Sequence, residues 1–100
     1  KVSKWEKLLA RIQHNPKSVR FDEAAKILEH MGYHRSQPKR GSSHWTFRKP
    51  GTAPITIPKH EPYVKEVYIR IIMDVLSKEE ADMMKKDIAY YMGLPYREII

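Results

Sequence analysis

The chain contains no cysteine. That absence removes disulfide frameworks, thiolate nucleophiles and cysteine-ligated metal centres, and it fits a reducing compartment, with the cytoplasm as the expectation. Nor is there an apolar run long enough to span a bilayer, or an early apolar stretch of signal-peptide length, so no membrane association is expected. Internal repeats and low-complexity tracts are missing, and no His, Asp and Glu arrangement has metal-ligand spacing. Neither a metal nor any other cofactor is expected. Acidic residues are in the minority: 12 Asp and Glu against 19 Lys and Arg give a formal net charge of +7 and a pI near 9.7. A small surface this positive attracts polyanions, nucleic acid first and an acidic protein second. With 100 residues, 41% of them hydrophobic and ten of them aromatic, the chain has the material for one modest core and no second independent domain.

Ser3-Lys4-Trp5-Glu6 has the form of a capping box. A helix follows, with Trp5, Leu8, Leu9 and Ile12 on one face, until Asn15-Pro16 stops it. A second helix is expected from about Asp22, burying Ala25, Ile27, Leu28 and Met31 and ending at Gly32. The period then changes to two. From Tyr33 the pattern is extended, with a basic turn at Pro38-Lys39-Arg40-Gly41, and in residues 42–48 Ser43, Trp45 and Phe47 alternate with Ser42, His44, Thr46 and Arg48. The aromatics take the core side. Pro50-Gly51 suits a type II turn before a third strand at Ile55-Thr56-Ile57, which stops at Pro58. Pro62 then predicts a helix start, followed by an apolar stripe of Val64, Val67, Tyr68, Ile71, Ile72 and Val75. Ser77-Lys78-Glu79-Glu80 predicts a further capped helix carrying Ala81, Met84, Ile88 and Tyr91 on one face, broken at Gly93-Leu94-Pro95, with residues 96–100 extended. The expected class is α+β with three antiparallel strands.

His44 is therefore expected on the solvent side of the central strand. A surface histidine with no role is one reading of it. The other rests on its neighbours in the sequence, Arg35, Lys39, Arg40, Arg48 and Lys49, and beyond the next strand Lys59-His60. Those cations suit phosphate, and neutral imidazole accepts a proton near pH 7. RNA offers a 2′-hydroxyl beside each phosphate, so a base among cations is a minimal ribonuclease. His60 is expected to organise the entrance to the following helix rather than to transfer a proton, and His14, His30 and His34 are expected to be plain surface residues.

Residues 15–76, "NPKSVRFDEAAKILEHMGYHRSQPKRGSSHWTFRKPGTAPITIPKHEPYVKEVYIRIIMDVL", resemble the HicA toxins of bacterial toxin–antitoxin systems. The similarity lies in "VRF" before a helix, "MGY" after it, the "GSSHWTF" turn and strand, and "ITIPKH" ahead of the last helix. Its most specific part is Gly41-Ser42-Ser43-His44 combined with Ile57-Pro58-Lys59-His60. The resemblance implies a double-stranded-RNA-binding-like α-β-β-β-α core in residues 1–76, with residues 1–15 as an extra helix. It also implies a metal-independent endoribonuclease that cleaves mRNA, with His44 as general acid or base. RNA contacts are then expected from Arg35, Lys39, Arg40, Gly41, Ser42, Ser43, Arg48, Lys49, Lys59 and His60, although Ser43 stands at a position that varies in the family and inherits no role from it. The alternatives are a non-catalytic RNA-binding module and an inactive toxin remnant that serves as a surface for an antitoxin. The end of the chain, "DIAYYMGLPYREII", resembles the beginning of HicB antitoxins. Residues 77–100 are accordingly read as a helix and tail resembling an antitoxin start, either as part of a toxin–antitoxin fusion or as a plain C-terminal helix. An acidic HicB-like antitoxin, in cis or in trans, is the expected protein partner.

Overall fold

In the computed structural model, which describes residues 3–93, Ser3 and Glu6 form the box their spacing predicts. The Glu6 N–H donates to Ser3 Oγ at 3.1 Å, and the Ser3 N–H donates to the Glu6 carboxylate at 3.4 Å. Helix α1 (Lys4–His14) follows and buries Ile12, with Trp5, Leu8 and Leu9 half-buried beside it. Trp5 stacks on His30 of α2 (Phe21–His30), ring centroids 3.8 Å apart, so His30, exposed as expected, also packs against α1. Helix α2 begins one residue before Asp22, with Arg20 at its N-cap, and Asp22 lies in its first turn. Ala25, Ile27, Leu28 and Met31 are buried as the spacing predicts.

Strands β1 (His34–Ser36), β2 (His44–Arg48) and β3 (Ile55–Pro58) form one antiparallel sheet in the order β1-β2-β3. The turn between β2 and β3 takes the expected form, with Gly51 at a φ of 81° and the Thr52 N–H donating to the Lys49 carbonyl at 3.2 Å. Phe47 and Ile57 are fully buried, and Phe21 of α2 packs its ring 5.8 Å from that of Trp45 and 6.2 Å from that of Phe47. The helices therefore cover the side of the sheet that carries the aromatics. The observed class is α+β, in the order α-α-β-β-β-α.

Two expectations about the last helices are corrected. Helix α3 runs unbroken from Glu66 to Met92, so no new helix starts at Ser77, and the boundary expected after residue 76 falls inside it. A capping-box sequence caps only where the backbone arrives in a non-helical conformation, and no glycine or proline interrupts residues 66–92. The helix also starts four residues later than Pro62 suggests, with Lys65 as its N-cap. Val64, just before it, is buried, and its N–H donates to the Val19 carbonyl at 2.8 Å, tying this entrance to the connection between α1 and α2. Within α3, Ile69, Ile72 and Leu76 face the core, whereas Val67 and Ile71 of the expected stripe are exposed, as are Met84, Ile88 and Tyr91 further on. Gly93, at a φ of 68°, closes the helix, and the extended segment expected at residues 96–100 lies outside the described residues. No helix among the described residues is long and apolar enough to cross a membrane.

Arg11 of α1 and Glu23 of α2 form an ion pair, and Glu23 also accepts the Arg20 N–H at 3.0 Å. Burial on its own pushes the Glu23 carboxyl up. The Arg20 bond, the Arg11 bond and the charges of both arginines outweigh it, and the carboxyl is held below its ordinary 4.5. A depressed native pKa stabilises the fold fully above the unfolded value and loses that contribution as pH falls through the native one. Denaturation midpoints measured from pH 7 downward should therefore drop below about pH 4.5, and Glu23→Gln should flatten that drop; an unchanged pH dependence would show that the pair contributes nothing.

Candidate nucleic-acid interface

Alternation along β2 sets the site. With Trp45 and Phe47 facing the helices, His44, Thr46 and Arg48 face away, and the register adds His34 opposite Arg48, Ser36 and Thr56 on either side of Thr46, and Pro58 opposite His44. This open side is a polar row across three strands. Thr46 and Thr56 bridge their hydroxyls at 3.2 Å, and His34, Ser36, His44, Arg48 and Thr56 are exposed.

His44 sits at the first position of β2. Its own N–H donates to Ser42 Oγ at 3.1 Å, and the same oxygen lies 3.4 Å from His44 Nδ1. One serine thus holds both the backbone and the ring. The turn before it explains how Ser42 reaches that place: the Ser42 N–H donates to the Lys39 carbonyl at 2.8 Å, and Gly41 adopts a φ of 82°. No heavy atom would meet a Cβ at Gly41, so its requirement for glycine is conformational rather than spatial. Lys39 and Arg40 are exposed in this turn, as is Ser43. His60 is exposed as well, with Nδ1 3.1 Å from the Tyr63 carbonyl oxygen, which ties it to the approach to α3 as expected.

The remaining cations are placed elsewhere. Arg35 pairs with Phe47 across the sheet and so lies on the helix-covered side, where Glu29 accepts two bonds from its guanidinium at 3.0 and 3.1 Å and Trp45 lies 5.8 Å away. The Glu29 hydrogen bonds, with the charges of Glu29 and Asp22, outweigh desolvation and raise the Arg35 pKa. Lys49 likewise turns to the helices, forming an ion pair with Glu79 of α3 beside the Tyr33 ring. Lys59 holds its ammonium 5.6 Å from the Phe21 ring. Arg48 is on the open side, but four residues from His44 and so about 13 Å along the strand.

The structure therefore gathers His44, Gly41, Ser42, Ser43, Lys39 and Arg40 at one end of the sheet, with Arg48 and His34 at the other. Ser36, Thr56 and His34 join the open face through the register of the strands, a signal no single stretch of the sequence carries. A hollow of about 630 Å³ lies between β3 and α3, lined by Ile55, Ile71, Val75 and Met83 among others, and does not include His44. An imidazole on an open face suits an extended polymer better than a small molecule that needs enclosure. Among the described residues, no three His, Asp or Glu side chains cluster as a metal site would require. Comparison with family models, with curated proteins and with solved structures finds no match to this chain.

Proposed function

We propose that this chain is an endoribonuclease, the toxin of a type II toxin–antitoxin system, built on a double-stranded-RNA-binding-like core and acting in the cytoplasm on mRNA. The observation that carries the reading is His44, fixed by Ser42 on the open face of the sheet beside the basic turn of Lys39 and Arg40. A positioned imidazole moves protons near neutral pH, and the neighbouring cations hold phosphate. The reaction is attack of a 2′-hydroxyl on its own phosphate, leaving a cyclic phosphate and a 5′-hydroxyl. An acidic HicB-like antitoxin, in cis or in trans, would cover this face and hide His44. The C-terminal similarity and the net charge of +7 support that partner.

Incubation with single-stranded RNA and end-group analysis of the products tests the reading. Cleavage should proceed with a strong chelator present and leave cyclic phosphate ends. Affinity should fall with salt, because each phosphate neutralised releases counterions; for three contacts to a single strand, as Lys39, Arg40 and Arg48 would make, the loss between 50 and 200 mM salt is on the order of 20-fold. Salt-sensitive binding without cleavage would favour the non-catalytic RNA-binding module instead, and salt-independent binding would remove the basic turn from the interface.

A further inference from the structure

Two residues past Pro58, the β3 partner of His44, the chain carries a second imidazole, His60. His44 stands opposite Pro58, and the Lys59 N–H donates to the Ser43 carbonyl at 2.8 Å, so the ladder continues one residue past β3. Lys59 lies against the Phe21 ring, on the helix-covered side. Extending the same alternation past the end of β3 would put His60 on the open side, two residues beyond the partner of His44. Same-face diagonal neighbours of this kind are about 7–8 Å apart at their backbones, within reach of two imidazoles that address one phosphodiester from adjacent strands.

The two rings have different hydrogen-bond partners. A carbonyl only accepts, so the bond from His60 to the Tyr63 oxygen places the proton on Nδ1, and the neutral ring keeps its lone pair on Nε2. His60 is thereby set as a base. At His44, Nδ1 lies 3.4 Å from Ser42 Oγ, which can accept an N–H of the imidazolium through a second lone pair. That contact is compatible with His44 in the acid's role. The charged residues flanking the pair in sequence are Lys39 and Arg40 before β2, and Lys59 and Glu61 on either side of His60, all exposed.

We propose that His60 is the second catalytic residue, working with His44 as an acid–base pair across β2 and the end of β3; this rests on the cleavage reading above. His60 Nε2 takes the proton of the 2′-hydroxyl, the 2′-oxygen forms its bond to phosphorus, and the bond from phosphorus to the 5′-oxygen breaks. His44 Nε2–H protonates the departing 5′-oxygen. The products are a 2′,3′-cyclic phosphate and a 5′-hydroxyl, with His60 left protonated and His44 neutral until both exchange protons with water.

The test compares an RNA oligonucleotide carrying an ordinary linkage with one carrying sulfur at the 5′-bridging position, which leaves without protonation. His60→Asn is the informative variant, because its amide can still donate to the Tyr63 carbonyl. It should lower cleavage of both linkages by about 10²–10⁴-fold, the range for one positioned base, while RNA affinity is kept and the acid limb of the pH–rate profile disappears. His44→Ala should be slow on the ordinary linkage and recover on the sulfur one. Native-like cleavage by His60→Asn would overturn the proposal and leave the nuclease reading standing. Recovery of His60→Asn on the sulfur linkage would overturn the assignment of base and acid. Absence of cleavage by the native protein would overturn the nuclease reading and this pair with it.

Discussion

Replacing His44 by alanine should lower the rate of RNA cleavage by about 10²–10⁴-fold, the contribution of one positioned proton-transfer group. The fold should not notice. His44 is exposed, and the Ser42 hydroxyl is its hydrogen-bond partner, so its truncation opens no cavity. Surface changes of this kind stay within about 0.5 kcal/mol. Affinity for RNA at low salt should also survive, because Lys39 and Arg40 remain in place. The measurements are a single-turnover cleavage rate, a melting curve and a binding isotherm on one preparation. Full-rate cleavage by the folded variant would remove His44 from the chemistry; loss of binding together with cleavage would make it a contact residue instead.

The largest effect on stability is expected at Phe47, on the middle strand. Its side chain is fully buried, and the Phe21 ring packs against it from α2. Phe47→Ala removes that contact and leaves a void where sheet meets helices, which typically costs about 3–5 kcal/mol. Domains of this size have only about 5–15 kcal/mol in total, so a sizeable unfolded fraction should appear at moderate temperature. Urea denaturation gives the check: the midpoint should fall sharply with the slope little changed, and a shift worth less than about 1 kcal/mol would show that the core is not centred on this strand.

What the sequence made legible was whatever depends on a few neighbouring residues. The Ser3–Glu6 box, the alternation of Trp45 and Phe47 against His44 and Arg48, and the Pro50-Gly51 turn are local facts, and each is found where its pattern points. Arg35 was not legible, because its side is decided by its pairing with Phe47, a residue on another strand. Lys49, next to Arg48, turns the other way as alternation requires, but its partner Glu79, on a helix 30 positions later, was not legible. The Ser77-Lys-Glu-Glu box misled because local form does not reveal whether the preceding turn is already helical. The apolar stripe expected in α3 merged two adjacent faces, of which the fold buries the one carrying Ile69, Ile72 and Leu76. The tie of His60 to the helix entrance was legible in the sequence; the pairing of His44 with Pro58, two residues before it, was not.

Helix α3 has one further physical consequence, for how copies of the molecule behave toward one another in solution. Beyond Leu76 its surface offers Met83, Met84, Ile88, Tyr90, Tyr91 and Met92 to water, on a chain that carries a formal charge of +7. Two such molecules meet under opposing influences, a long-range repulsion and a short-range adhesion. The repulsion reaches about 30 Å at 0.01 M salt and shrinks to about 3 Å at 1 M. Adhesion between apolar groups needs no charge and does not shrink with it. Added salt should therefore do two unlike things to this protein: weaken any hold on polyanions, and remove the barrier that keeps its own copies apart. Colloidal stability and any polyanion binding should both be strongest in dilute electrolyte, because one surplus of lysine and arginine would underlie them both.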